Sequence, residues 1–399
     1  MNLETLIEIS RRYGADPDYV LAGGGNTSLK EGDVIAVKAS GALLGIIDEN
    51  GFVQLSLSKL RALFDMALPF DSEAREKIVL EKLLGARLPG QTRRPSVETL
   101  LHALFPYRFV IHLHPALVNG MLCSRQALSA AETLFRNEAS VLPYITPGYI
   151  LADAVRRVFE HRTSSGMSPP KILFLQNHGV FVAADSVEEI EALYAHIFET
   201  LKAKVQPLPE EGLRGGPARG YEAAIAGGEQ RTMASLQAAL LTAVQAAVKR
   251  ATTKFNVRFF FTSNSLIGHF LASPEAFVPL SSPFTPDHIV YAGAWPLFVN
   301  ISEAQSSEHL ISKIDEFRIH HQEMPKIIAV QNLGIFGLGQ DESAAKRACE
   351  LFGDAAKIAW YARSFGGVHP MQPADIEFIQ SWEVEKYRAS IAASSNPAS

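Results

Sequence analysis

A surplus of positive charge is missing from this sequence: 37 lysines and arginines stand against 42 aspartates and glutamates, a formal net charge of −5. Proteins that bind nucleic acids mainly through phosphate contacts usually carry such a surplus, or basic runs. We therefore expect no nucleic-acid partner. With 399 residues and 47% hydrophobic content, the chain is long enough for two or three domains with ordinary cores.

Long apolar segments and cysteines are also scarce. The longest apolar stretches, 171–175 and 179–184, fall well short of the roughly 18 residues that span a bilayer, so we expect no membrane segment. The first twelve residues carry two glutamates and lack the basic region and apolar core of a signal peptide. Cys123 and Cys349 cannot form a disulfide framework, and a reducing cytoplasm is the expected location.

Hydrophobic periodicity predicts a mixed α/β first half. A glycine-rich turn leads into strands at Asn26–Lys30 and Val34–Lys38, which a tight turn joins into a hairpin. Further strands are expected at Arg108–His114 and on both sides of Gln176–Gly179. Helical patterns occur at 3–14, Ser58–Phe64, Glu73–Leu84, Ser96–Phe105 and Val187–Lys202. The pattern is typical of helices packed around a mainly antiparallel sheet.

The composition changes sharply after residue 205. Three prolines and six glycines occur between 205 and 228, among few large apolar residues. We therefore predict domains at 1–205 and 229–399, joined by a linker at 206–228. An alanine-rich helix is expected at Thr232–Lys249, at the start of the second half.

Part of the first half recurs in the second. The twelve residues from Lys171 align without gaps with the twelve from Lys326 and match at six positions, and both segments precede a long helix. Chance similarity of two buried strands would explain the apolar matches but not the shared Gln-Asn-x-Gly, so we favour a duplicated fold. His178 of the first copy is Leu333 in the second.

Three histidines are candidate metal ligands. Side chains two apart on a strand project from the same face, so His112 and His114 can bind one ion. Imidazole suits zinc and its first-row neighbours, and His178, in a turn beside Gly179, is the natural third ligand. Each of them could instead be an ordinary hydrogen-bonded core or surface histidine.

Glu98 is the candidate acid or base. A carboxylate beside a metal can serve as ligand or general base. The alternative is structural: if Ser96 is the N-cap, Glu98 lies in the first turn of the helix, where the helix dipole favours a carboxylate. His102, one turn later, could support the site or simply pack in the core.

Two glycine-containing segments could hold an anion. The run that ends at Gly25 and Asn26, and the pair Ser40-Gly41, offer backbone N–H groups and hydroxyls. A hairpin turn would explain them equally well. They match no nucleotide-binding fingerprint, because no helix follows the glycines at the required spacing.

Taken in chain order, these motifs resemble those of the class II aldolase/adducin family. The matching segments are Gly25-Asn26-Thr27-Ser28, Ser40-Gly41, Pro95-Ser96-x-Glu98, His112-x-His114, Pro143-Tyr144-x-x-Pro147-Gly148 and Asn177-His178-Gly179. The resemblance covers roughly Met1–Lys204. It implies a three-layer α/β/α domain around a mainly antiparallel sheet, and the internal repeat predicts that 229–399 is a degenerate second copy.

The resemblance also implies a reaction. A divalent metal ion, most often Zn²⁺, would be held by the three histidines, with Glu98 as acid/base. A ketose phosphate, or a related hydroxy-carbonyl compound, would be cleaved through a metal-stabilised enediolate. Phosphate would bind at a site formed by Gly25, Asn26, Ser40, Gly41 and Ser96. Val97 stands where sugar-phosphate aldolases often carry a second serine.

Other functions stay open within the same family. It contains epimerases, dehydratases and decarboxylases with nearly the same metal site, and adducin uses the fold as a non-catalytic scaffold. Related aldolases are commonly tetramers, so a homo-oligomer is expected; two chains of two lobes each would form a dimer with four lobes. If Arg258–Asn264 corresponds to Arg108–His114, Thr262 and Asn264 replace two ligands. The second lobe should then bind no metal, and would support assembly or lend side chains to a neighbouring site.

Overall fold

The predicted hairpin begins a seven-stranded sheet. Its first two strands pair in antiparallel register around Gly32, whose φ of +59° suits a glycine turn. The strands are β1 (Asn26–Glu31), β2 (Val34–Lys38), β3 (Phe52–Ser56), β4 (Phe109–Leu113), β5 (Ala139–Leu142), β6 (Ile172–Leu175) and β7 (Gly179–Ala184). Their order is β3-β2-β1-β4-β7-β6-β5, and every pair is antiparallel except β5–β6.

Helices cover both faces of this sheet. They are α1 (Glu4–Gly14), α2 (Leu57–Arg61), α3 (Ser72–Gly85), α4 (Thr99–Leu104), α5 (Ala116–Leu122), α6 (Ala127–Phe135), α7 (Tyr149–Ser164) and α8 (Val187–Lys202). One face packs on α2, α3, α4 and α7 in a continuous core, and the other contacts α5, α6 and α8. Every position of β4, β6 and β7 is therefore buried. The predicted mixed α/β fold is confirmed.

The computed structural model describes residues 1–209, 242, 246, 257–304 and 306–382. It divides into two compact units, 1–205 with 364–366 and 206–363 with 367–399. Apart from 206–209, 242 and 246, the predicted linker and the predicted helix at 232–249 lie outside the described residues. Within those residues, no helix is both long and apolar enough to cross a membrane.

The helix after Pro95 begins later than predicted. Thr99 is its first residue, and Glu98 occupies the position before it. Ser96 is therefore not the N-cap, and Glu98 is not in the first turn. The hydroxyl of Ser96 instead accepts hydrogen bonds from the Glu98 N–H and from Nδ2 of Asn26, both at 3.3 Å. These contacts turn the Glu98 segment towards β1.

The second unit contains a four-stranded sheet of the same kind. Its strands are β8 (Arg258–Thr262), β9 (Leu297–Val299), β10 (Ile327–Val330) and β11 (Gly334–Gly339). The order β8-β11-β10-β9 has two antiparallel pairs and one parallel pair, as β4-β7-β6-β5 has in the first unit. The helices with described bounds are α9 (Ser265–Phe270), α10 (Pro274–Phe277), α11 (Ile301–Ala304), α12 (Ser307–His321), α13 (Glu342–Ala362) and α14 (Pro373–Ser381).

Strand pairing corrects the expected alignment of the two halves by one residue. His112 pairs with Phe181, which aligns with Phe336, and Phe336 pairs with Phe261. If the second sheet is a copy of the first, His112 corresponds to Phe261 rather than Thr262, and His114 to Ser263 rather than Asn264. Asn264 instead caps α9, by accepting a hydrogen bond from the Ile267 N–H at 2.7 Å. The second unit has no histidine at either position, whichever alignment is used.

The shared Gln-Asn-x-Gly has a backbone explanation. Asn177 and Asn332 both adopt a positive φ, 53° and 56°, which asparagine tolerates better than most residues. In each unit the glycine that follows is tightly packed. A Cβ on Gly179 would lie 2.6 Å from the carbonyl oxygen of Leu113, and one on Gly334 would lie 2.7 Å from that of Thr262. Both turns thus need the same small or permissive residues.

Candidate metal centre

The three predicted histidines meet at one end of β4. Because β7 pairs antiparallel with β4, the turn that precedes β7 brings His178 beside His112 and His114. One ring nitrogen from each of the three lies within 4.8 Å of the others. The Nε2 atoms of His112 and His114 are 2.9 Å apart. His112 and His178 are buried, and His114 is half-buried.

The ring of His112 is oriented by the sheet. Its Nδ1 lies 3.0 Å from the carbonyl oxygen of Val180, and because a carbonyl can only accept, Nδ1 carries the proton. The ring also stacks on Phe181 with centroids 3.9 Å apart. Burial lowers the pKa of His112 to about 4, although the charge of Glu98 opposes the shift. At neutral pH, Nε2 therefore presents a lone pair to the cluster.

Glu98 completes the cluster from the other side. Its Oε1 lies 2.9 Å from Nε2 of His178 and 3.3 Å from Nε2 of His112. Burial raises the pKa of the Glu98 carboxyl, but the charge that these two rings can carry outweighs burial and holds that pKa well below its usual range. Glu98 is therefore a carboxylate at neutral pH.

A cation fits this set of atoms. Oε1 of Glu98 is buried, and no hydrogen bond of adequate geometry reaches it from the described residues, although the two ring nitrogens are close. The Nε2 lone pair of His112 and a carboxylate oxygen of Glu98 thus face one another in a buried place, which is costly unless positive charge lies between them. Three imidazoles and a carboxylate are ligands typical of zinc and its first-row neighbours.

His102 supports Glu98 through Asn26. Nδ2 of Asn26 donates to Oε2 of Glu98, and Oδ1 of Asn26 contacts Nε2 of His102. Because Oδ1 only accepts, Nε2 of His102 is the donor, and its Nδ1 accepts from the hydroxyl of Ser28 at 2.7 Å. Burial keeps the pKa of His102 well below its usual range, so the ring stays neutral. Sequence reasoning left this role open; a histidine one turn after Glu98 was the signal.

The candidate anion-binding residues lie around the same place. Gly25 has a φ of +65°, and a Cβ there would lie 2.9 Å from the carbonyl oxygen of His112, so glycine lets this loop contact β4. Asn26 pairs with His112 across the sheet. The N–H of Ser40 donates to the carbonyl of Arg94 at 2.9 Å, which joins Ser40-Gly41 to the segment that carries Ser96.

Sequence reasoning missed Lys38. This lysine is buried at the end of β2, and its Nζ donates to the carbonyl oxygens of Gly23 and Gly25 at 3.2 and 2.9 Å. It therefore holds the glycine loop and places a positive charge beside it. A lysine that ends the apolar run Val34–Lys38 just before Ser40 was the available signal.

The turn that carries His178 is held from two directions. Asn119, buried on α5, donates from Nδ2 to the carbonyl oxygen of His178 at 3.3 Å. On the other side, the backbone N–H of Tyr144 donates to Oε1 of Gln176 at 3.1 Å. The proline- and glycine-containing motif around Tyr144 thus positions the turn. Asn119 had no sequence signal beyond its place in an apolar helix.

A family comparison matches the first half of the chain. The sequence profile described as Class II Aldolase and Adducin N-terminal domain matches residues 4–205, just over half of the chain. The chain belongs to the class II aldolase and adducin family. One relative, the uncharacterized oxidoreductase YuxG of Bacillus subtilis (strain 168), is 21% identical over 423 residues. That alignment covers 98% of this chain but only 58% of YuxG.

Solved structures are similar to about half of this chain. The N-terminal class II aldolase domain of a conserved protein from Thermoplasma acidophilum is 30% identical, with 51% of this chain and 93% of that chain covered and a TM-score of 0.44. An L-fuculose 1-phosphate aldolase is 18% identical, with 51% and 85% covered and a TM-score of 0.36. YgbL from Klebsiella pneumoniae, described as a putative aldolase/epimerase/decarboxylase, is 20% identical, with 51% and 89% covered and a TM-score of 0.36.

Proposed function

We propose that the first unit is a divalent-metal-dependent carbon–carbon lyase that acts on a ketose phosphate or a related hydroxy-carbonyl compound, with Zn²⁺ as the metal. The observation that carries the proposal is the buried cluster in which His112, His114 and His178 face Oε1 of Glu98. Family membership supports the reaction class, since retained ligands and a retained carboxylate favour an enzyme over an adducin-like scaffold.

In this proposal the three histidines bind the metal ion and Glu98 transfers the proton. His112, His114 and His178 would hold the ion, which supplies Lewis acidity that stabilises negative charge on substrate oxygens. Glu98 would take a proton from the substrate at Oε1 and return it to a product fragment, because Asn26 holds the other oxygen of the carboxylate in place.

A phosphate group would bind at the glycine loop. Backbone N–H groups at Gly25 and Asn26, the Ser40-Gly41 pair and the hydroxyl of Ser96 are the proposed contacts. The ammonium group of Lys38 supports this role, because it lies against the loop and favours an anion there.

The second unit is proposed to be a metal-free partial copy of the first. The common strand order supports this, and Phe261, Ser263 and Leu333 stand in place of the three histidines. A homo-oligomer is proposed as well, in which two chains would form a dimer with four lobes. The expected cytoplasmic location is part of the same proposal.

Proton exchange tests the proposed chemistry without knowledge of the aldehyde product. Zinc-loaded protein is incubated in D₂O with dihydroxyacetone phosphate, and separately with dihydroxyacetone, and loss of the carbon-bound proton signal is followed by NMR. Glu98→Gln should slow exchange by about 10²–10⁴-fold with unchanged metal content, because it removes the base. Glu132→Gln, at an exposed position, is the control.

The two substrates separate the possibilities. Exchange of dihydroxyacetone phosphate alone supports a phosphorylated substrate, and exchange of both supports a broader hydroxy-carbonyl class. No exchange with either compound by the metal-loaded protein would contradict the lyase. An epimerase, dehydratase or decarboxylase would use the same carboxylate, and product identification by NMR distinguishes it.

A further inference from the structure

A separate cavity of about 390 Å³ lies within the second unit, at the start of α13. Its lining includes the cationic side chains of Lys326 and Arg347, the ring of Tyr291, and the apolar side chains of Met324 and Leu338. This volume is within the range of pockets that hold small molecules, and an apolar wall with a few polar groups is their usual lining. None of these residues takes part in the metal centre.

Among the described residues, Lys326 lacks the acidic partner that the equivalent lysine has in the first unit. Lys171, its counterpart in the repeat, forms an ion pair with Glu189 on α8. Counting along the same gap-free alignment, Glu189 corresponds to Ala344 on α13, and Ala344 lines the cavity. The helix that provides a counter-charge in one unit therefore provides only a methyl group in the other.

Lys326 lies in a place where a positive charge is costly. Its Nζ donates to the carbonyl oxygen of Val290 at 2.5 Å, and no carboxylate of the described residues forms an ion pair with it. Burial lowers the pKa of Lys326, and the nearby charge of Glu323 only partly opposes this. An anion beside Nζ would remove that cost.

Arg347 provides a second cation on the same wall. It lies one turn after Ala344 on α13, its guanidinium is 6.0 Å from the ring centroid of Tyr291, and it too forms no ion pair with a described residue. Two acidic residues also line the cavity, but one oxygen of Asp341 caps α13 by accepting from the Ala344 N–H at 2.7 Å, and burial raises the pKa of Glu323.

We propose that this cavity binds a small molecule through an oxyanion group, a carboxylate or a phosphate, which occupies between Lys326 and Arg347 the position that Glu189 has in the first unit. Arginine is suited to such a group because its guanidinium can donate two parallel hydrogen bonds to it. The site is independent of the metal centre and of the reaction proposed for it.

Equilibrium dialysis of the full-length chain against radiolabelled inorganic phosphate, and separately against radiolabelled lactate, tests this site. Ala344→Glu restores the internal carboxylate, so this variant should bind one anion fewer per chain than the wild type does. Ser343→Glu adds the same charge at the exposed neighbouring position outside the cavity, and should bind as the wild type does. A deficit with phosphate alone assigns a phosphorylated ligand, and a deficit with lactate alone assigns a carboxylate.

A second variant keeps the test valid if Ala344→Glu does not fold. Arg347→Gln should weaken binding by about ten- to a hundredfold, because it removes hydrogen bonds from a charged donor. Lys346→Gln removes a neighbouring exposed cation instead and should leave binding unchanged. The proposal is overturned if Ala344→Glu binds both anions with the stoichiometry of Ser343→Glu, or if Arg347→Gln binds as tightly as Lys346→Gln.

Discussion

Nδ1 of His112 donates a hydrogen bond to the carbonyl oxygen of Val180, 3.0 Å away on the neighbouring strand. This contact fixes which nitrogen of His112 faces the cluster, because the protonated Nδ1 is committed to the sheet. The register of β7 against β4 therefore determines which ring nitrogen of His112 is available as a metal ligand. A shift of β7 by one residue would move Val180 to the other face and release the ring.

Gly179→Ala should weaken metal binding. The added Cβ would lie 2.6 Å from Cδ2 of His114 and 2.6 Å from the carbonyl oxygen of Leu113, so the ring must move. We expect a zinc affinity about 10–100-fold lower, as for other losses of support around metal ligands. Competition with a chelating dye measures it. Gly85→Ala, with no atom within 4 Å of the added Cβ, is the matched control; equal affinities would contradict the close packing.

Asn26→Leu should destabilise the first unit. The variant leaves Nε2 of His102 without its acceptor and Oε2 of Glu98 without its donor, both in buried positions. We expect the free energy of unfolding to fall by about 1–3 kcal/mol, the cost of leaving a buried polar group unsatisfied. Urea unfolding measures it against Asn137→Leu at an exposed site. A loss of unfolding free energy no larger than that of the control would show that Asn26 does not form these hydrogen bonds to His102 and Glu98.

Lys30 should make stability depend on pH. Its Nζ donates to the carbonyl oxygen of Tyr107 at 3.0 Å, and burial lowers its pKa from 10.5 to about 7. Between these values the unfolded chain binds the proton and the folded chain does not, so this residue's contribution to stability rises with pH. The slope approaches about 1.4 kcal/mol per pH unit.

Lys30→Met removes that contribution. Urea unfolding between pH 7 and pH 10 should show a weaker rise, or a steeper fall, of stability for the variant than for the wild type. Lys59→Met, at an exposed position, should keep the wild-type dependence. Identical pH profiles for Lys30→Met and the wild type would show that Lys30 is not desolvated in the folded chain.

Local patterns predicted the elements that local chemistry determines. The hairpin of β1 and β2, strand β4 and the helix Val187–Lys202 follow from alternation, a glycine turn and helical periodicity. The short strands β3 and β5 and the helices α5, α6 and α7 were not predicted. Ala139–Leu142 is a strand because β6 pairs with it in parallel, which sequence spacing does not indicate.

Long-range contacts account for the errors at the site. Serine is a residue type typical of an N-cap, but the hydroxyl of Ser96 accepts a hydrogen bond from Asn26, 70 residues earlier in the chain. The helix begins at Thr99 instead. The alignment of the second unit was wrong by one residue because only strand pairing relates Phe261 to Phe336. His112 and His114 were grouped from strand geometry, and His178 was added from ligand chemistry and family resemblance, since its spacing alone does not place it beside β4.

Metal content per chain tests the central proposal most directly. Elemental analysis of protein purified without chelator should give one divalent ion per chain, and His112→Ala/His178→Ala should lose it, because two of the three ring ligands are gone. His161→Ala/His196→Ala removes the same number of histidines from exposed helical positions of the same unit and should retain the ion. Wild-type protein that takes up no zinc, manganese or cobalt, or equal metal content in the two double variants, would contradict the proposed centre.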